Sequence, residues 1–119
     1  MTLPGRGSAK PLSKIVRGEV WLAALDPVVG HEIQKTRPCV IVSPSQMHDH
    51  LRTVTAVPLT TGSRPAPFRV AVHFAGKSGL IVLDQLRTLD KLRLVRRLGA
   101  VEPAVLSATL ERLREMFAE

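Results

Sequence analysis

The sequence predicts a mainly β domain, a small barrel closed or flanked by one C-terminal helix, and three observations predict it. From Val16 onward, short segments rich in Val, Leu, Ile, Thr and Ala are each bounded by Gly, Pro, Asp or Ser, the punctuation of a barrel or sandwich. After Glu102 the apolar residues recur at intervals of three or four, which is helical spacing. The chain has 119 residues, room for one hydrophobic core and not for a second domain.

Taken in order, residues 1–14 carry Arg6, Lys10 and Lys14 among Pro, Gly and Ser and read as a flexible basic tail. They lack the apolar stretch of a secretory signal. The domain proper runs over 15–119, with the barrel at about 16–101 and the helix at about 103–117. Five or six strands are expected, at Gly18–Leu25, Pro38–Ser43, Thr53–Leu59, Phe68–Phe74, Gly79–Leu83 and Arg97–Val101. Pro38 is expected to start its strand, where a missing N–H does least harm to a ladder. Pro44–Leu51 and Asp90–Leu94 read as short helical turns. In the terminal helix Pro103 suits a first position, and Leu106, Leu110, Leu113 and Phe117 form the apolar stripe. Glu111, Arg112, Arg114 and Glu115 fall on its solvated side.

Composition narrows the function. Seventeen Lys+Arg against ten Asp+Glu give a net charge of +7, which favours a polyanion or an acidic chain as partner. An apolar fraction of 45% is too high for a disordered chain, and 8 Gly, 9 Pro and one Cys exclude collagen-like and disulfide-scaffold readings. Every apolar stretch is interrupted well short of the roughly 20 residues that a spanning helix needs. Cys39, inside Cys39-Val40-Ile41-Val42, reads as a small buried hydrophobe, and together with the missing signal it points to the cytoplasm. No phosphate-loop, dinucleotide, zinc-protease or nucleophile-elbow motif is present, so no cofactor is expected. Trp21, Phe68, Phe74 and Phe117 are the four aromatics and read as core rather than as a base-stacking platform.

Chemistry-bearing side chains concentrate in the polar loop Val28–Pro38. His31 and Glu32 make a proton-exchanging pair, while Lys35 and Arg37 suit an anion, the planar Arg fork matching a phosphate. Polar loops between strands are common, so composition alone leaves this loop undecided. His48-Asp49-His50 looks like a metal cluster, but neighbours so close on an irregular segment seldom converge; they are expected to be solvent-exposed polar residues, with no metal. Asp84 reads equally as a site acid or as a turn acid pairing with Arg87. Arg93, Arg96 and Arg97 form a basic cluster, either a solvated face or a contact for RNA or an acidic peptide. His73 reads as a surface or barrel histidine.

Arg17-Gly18-Glu19-Val20-Trp21, Leu25-Asp26-Pro27, Gly30-His31-Glu32, Thr36-Arg37-Pro38, Val40-Ile41-Val42-Ser43-Pro44, Val57-Pro58-Leu59-Thr60-Thr61 and Leu83-Asp84-Gln85 through Arg87-Thr88 together resemble the MazF/PemK toxins. These are endoribonuclease components of type II toxin–antitoxin systems. The resemblance covers roughly Val16 to Phe117 and implies an SH3-like barrel of the MazF/PemK/CcdB type, a homodimer, and metal-independent cleavage of single-stranded RNA. It places the family's catalytic Arg on Arg37 and its active-site Thr on Thr60, its loop acid on Glu32, the His of the PemK branch on His31 and an acid on Asp84. The chain departs from the pattern at Val82, where the PemK branch has Arg, and at Ile33, where many members have Gln.

The resemblance implies in-line attack of a ribose 2′-hydroxyl on the adjacent phosphate, leaving a cyclic phosphate and a 5′-hydroxyl. That route needs a base, an acid and donors to the phosphorane oxygens. Arg37 and Thr60 are the expected donors, Glu32 or Asp84 the base and His31 the acid, while Lys35, Arg37, Thr61, Arg64 and Arg87 are the expected RNA contacts. The loops 30–36 and 61–67 would meet the bases. An acidic cognate antitoxin is the expected inhibitor. Two alternatives remain: a CcdB-like protein that poisons gyrase, and a non-catalytic barrel that binds RNA or a partner.

Overall fold

The computed structural model describes residues 14–26, 30–33, 35–62 and 64–119; of the expected basic tail only Lys14 lies among them, and it is exposed. One seven-stranded antiparallel sheet and a C-terminal helix make up the fold. The strands are β1 (Glu19–Ala24), β2 (Thr36–Ile41), β3 (Thr53–Thr60), β4 (Arg69–Phe74), β5 (Lys77–Val82), β6 (Arg87–Asp90) and β7 (Leu94–Ala100), followed by α1 (Pro103–Met116). Their order is β4-β5-β3-β2-β1-β7, with β6 also paired to β3. The expected helical turns are 3-10 turns at Ser45–Asp49 and Lys91–Arg93, and Pro103 stands in the first turn of α1.

Alternation explains the two apolar clusters. Trp21, Ala23, Cys39, Ile41, Val54 and Ala56 face one side with Leu25, Leu89 and Leu94. Val20, Val40, Val42, Val57, Leu59 and Ile81 face the other, where Leu106, Leu110 and Leu113 of α1 cover them. A period of two along each strand therefore fills both faces, one inside the curled sheet and one under the helix. Gly18 permits the helix to sit close: its φ is +94°, and a Cβ there would stand 3.0 Å from Leu106 Cδ2.

The curl is not closed by backbone. Among the described residues β4 and β7 are the outer strands and do not pair; the Phe74 ring of β4 lies over Gly99 of β7 instead, where a Cβ would meet Phe74 Cζ at 3.2 Å.

β3 changes partner along one edge. From Ala56 to Leu59 it advances three residues, while its partner runs six, from Arg87 back to Ile81. The three-residue surplus is looped out as the 3-10 turn Leu83–Gln85. Pro58, which has no N–H for a ladder, sits on β3 opposite that interruption and is fully buried.

Several expectations are corrected. β6 was not among the expected strands; only Leu89 of its four residues is buried, too little alternation to register. Pro38 is the third residue of β2 rather than its first, paired to Leu22 of β1 but beyond the end of the β2–β3 ladder at Cys39–Pro58, so one edge of the strand is open there. Phe117 is 68% exposed and lies beyond α1, outside the core. His48 is buried: Nδ1 bonds the Ile15 carbonyl at 2.6 Å and Nε2 the Ser43 hydroxyl at 2.6 Å, which pins the entry of the chain to the 3-10 turn.

Candidate active site

Six of the nine expected site residues fall into two clefts, and His31, Lys35 and Arg64 line neither. One, of about 410 Å³, is lined by Arg37, Pro38, Thr60 and Thr61 together with Phe74, Lys77 and Leu98. The second, of about 440 Å³, is lined by Glu32, Asp84, Gln85, Leu86, Arg87 and Thr88. Sheet register brings the first set together. β2 and β3 pair through Cys39–Pro58, and just past the end of that ladder Arg37 and Thr60 line the same cleft.

Thr60 Oγ1 accepts the Gly62 amide at 3.1 Å, which leaves its O–H to donate outward. Gly79 of β5 lies against this point; a Cβ there would be 2.8 Å from the Thr60 carbonyl oxygen. Lys77 supplies a second cation beside Arg37. Sequence reading did not find it, because a lysine following the Ala75-Gly76 turn carries no motif.

The loop ahead of β2 is tied down at several points. Leu25 N donates to the Lys35 carbonyl at 2.9 Å, and Lys35 N donates to Asp26 Oδ1 at 2.9 Å. Lys35 itself has a φ of +68°, a left-handed conformation disfavoured for a residue with a Cβ and here held at an exposed cation. Ile33, the departure from the family pattern, packs its side chain against the core and donates its N–H to Gln85 Oε1 at 2.7 Å. His31 and Glu32 precede it on the exposed stretch.

Asp84 does not pair with Arg87. Both of its oxygens are taken by Arg69, from Nε to Oδ1 and from Nη2 to Oδ2, each at 3.0 Å. Arg69 stands directly opposite Val82 in the β4–β5 ladder, so a guanidinium reaches Asp84 from the adjoining strand while position 82 is buried Val. This bidentate hydrogen bond holds the Asp84 carboxyl below its ordinary range, outweighing partial burial. Arg69 Nη1 also donates to the Arg64 carbonyl at 3.0 Å; Arg64 itself is exposed.

Of the outlying basic cluster, Arg97 pairs with Glu19 at 2.8 Å, Arg93 donates to the carbonyls of Ala24 and Asp26, and Arg96 is exposed. His73 is exposed beside Ser78. Cys39 is buried and its thiol is pushed up to about 12 by burial, the reverse of a reactive thiolate. Among the described residues no three His, Cys, Asp or Glu side chains gather as a metal site. Among the described residues no helix is long and apolar enough to cross a membrane.

Comparison with known proteins bears on this arrangement. The family described as PemK-like, MazF-like toxin of type II toxin-antitoxin system matches residues 16–117. The chain is 40% identical over 107 residues to the endoribonuclease PemK of Escherichia coli, covering 85% of this chain and 80% of that protein. It is 37% identical over 90 residues to the endoribonuclease MazF of Staphylococcus epidermidis, covering 71% and 75%. Among solved structures, MazF from Deinococcus radiodurans aligns with a TM-score of 0.77 at 26% identity, over 87% of this chain and 96% of that one. A mycobacterial endoribonuclease in complex with its cognate antitoxin aligns at 0.72 and 30% identity, over 85% and 92%. These relatives do not favour the gyrase-poisoning or the non-catalytic reading. From Val16 to Phe117, in sequence and in fold, the chain belongs to the PemK/MazF family of toxins of type II toxin–antitoxin systems.

Proposed function

We propose that the chain is an endoribonuclease toxin that cuts single-stranded RNA without a metal, by attack of a ribose 2′-hydroxyl on the neighbouring phosphate. The observation that carries this reading is the meeting of Arg37 and Thr60 in one cleft, with Lys77 beside them. Arg37 stabilises the charge that develops on the phosphorane oxygens, and the outward O–H of Thr60 adds a second donor. Glu32 is the general base: Asp84 lines the same cleft, but the Arg69 fork lowers its basicity. His31 protonates the leaving 5′-oxygen. Lys35, Thr61, Arg64 and Arg87 contact the strand on either side. The function places the protein in the cytoplasm, where a dimer of the chain is held in check by an acidic antitoxin.

The test is a defined RNA incubated with the protein in excess chelator. Cleavage should persist and leave 5′-hydroxyl ends that a kinase labels directly; Mg²⁺ dependence or 5′-phosphate ends would overturn the mechanism. Arg37→Ala should lower the cleavage rate by about 10²- to 10³-fold with the fold intact, and Thr60→Val by less. Wild-type rates in both variants would remove them from the site.

A further inference from the structure

The looped-out turn Leu83–Gln85 is bonded to two separate segments of the chain. On one side Gln85 Oε1 accepts the Ile33 amide at 2.7 Å, from the loop that carries His31 and Glu32. On the other, Asp84 holds the Arg69 fork, and Arg69 Nη1 in turn holds the Arg64 carbonyl at 3.0 Å, in the segment that follows Thr60 and Thr61. Backbone bonds reinforce that side: Leu83 N donates to the Phe68 carbonyl at 3.2 Å and Arg69 N to the Ala66 carbonyl at 3.1 Å.

The turn is well placed to transmit position. Leu83 is fully buried in the cluster beneath α1, and Leu86 N closes the turn on the Leu83 carbonyl at 3.1 Å. Its three residues thus have a fixed root and two polar side chains directed outward, one to each loop. Resting on the ribonuclease reading above, we infer that this turn is a brace setting the spacing of the two loops that flank the RNA path, with Gln85 and Arg69 as positioning residues. Loops held before RNA arrives need not be ordered by it, so loss of the brace weakens binding of RNA and, because one loop carries His31 and Glu32, slows the chemical step too.

The brace has a readout independent of catalysis. Hydrogen exchange at the Ile33 amide should quicken about fivefold or more in Gln85→Leu and return to the wild-type rate in Gln85→Glu, which keeps the accepting oxygen. Arg69→Leu should quicken it too, although Arg69 does not bond Ile33; Arg69→Lys, which loses the fork, serves in the same way if the leucine variant does not fold. With RNA, Gln85→Leu should raise KM by about fivefold and lower kcat as well, since the loop it frees carries His31 and Glu32, and Gln85→Glu should restore both. An Ile33 amide unaffected by loss of the Arg69 fork would show two unconnected ties and overturn the brace. Faster exchange with an unchanged KM would overturn the positioning role. A wild-type protein that does not cut RNA would instead overturn the ribonuclease reading, leaving the brace to be judged on exchange alone.

Discussion

A carboxylate buried in a small barrel has to be met by donors, and Glu19 is met by three. Its Oε1 accepts from Val16 N at 2.9 Å and from Trp21 Nε1 at 3.0 Å, and its Oε2 from Arg97 Nε at 2.8 Å. Burial alone would raise its pKa; the three donors outweigh that and hold it below the ordinary glutamate range. A folded-state pKa below the unfolded one stabilises the protein above the unfolded value, and that stabilisation is lost as pH falls through the folded value. Glu19→Gln keeps an acceptor for Val16 but loses the charge facing Arg97. It should cost about 1–3 kcal/mol at pH 7, and urea unfolding from pH 5 downward should bring wild type and variant together. A gap that stays constant with pH would show that the charge contributes nothing.

At the scale of elements, the meeting of β3 and β5 governs the Arg37 cleft. Gly79 is there because nothing larger fits: a Cβ would press on the Thr60 carbonyl at 2.8 Å, and backbone cannot swing aside as a side-chain tip does. Gly79→Ala should cost about 1–3 kcal/mol in thermal unfolding and lower the cleavage rate by displacing Thr60. Full activity at wild-type stability would show the two strands free to separate. The same region marks the limit of sequence reading. The long alternating strands β1 and β3 and the stripe of α1 were legible because half their positions are apolar and buried at the expected period. β6, Pro38 and the Leu83–Gln85 turn were not, since each is defined by which neighbour a strand has lost, and register is a property of two chains segments rather than of one.

At the scale of the whole molecule, a charge of +7 sets how the ligands compete. If RNA neutralises about four cations, its affinity should fall about fiftyfold between 50 and 200 mM salt through counterion release. An acidic antitoxin that also buries apolar residues should lose less, so raising salt should favour it over RNA in a competition titration. Equal salt slopes would place the inhibitor on charge alone. The candidate site was legible to a similar depth. Arg37 and Thr60 were readable as motif residues, and register brings them together in one cleft. Arg69 and Lys77 were not readable, because an arginine opposite Val82 and a lysine beyond a tight turn acquire their partners only when strands pair.

The seam between β4 and β7 should respond to cold differently from the rest of the sheet. Every other join between neighbouring strands is a ladder of backbone hydrogen bonds, whereas this one is an aromatic ring resting on Gly99. Apolar association weakens as water is cooled, while hydrogen-bonded ladders do not share that loss. Chilling should therefore loosen the sheet first at this line, which faster amide exchange around Phe74 and Gly99 at low temperature would show. That line adjoins Phe74 and Leu98, which form part of the wall of the Arg37 cleft, so low temperature should slacken the cleft before it unfolds the domain.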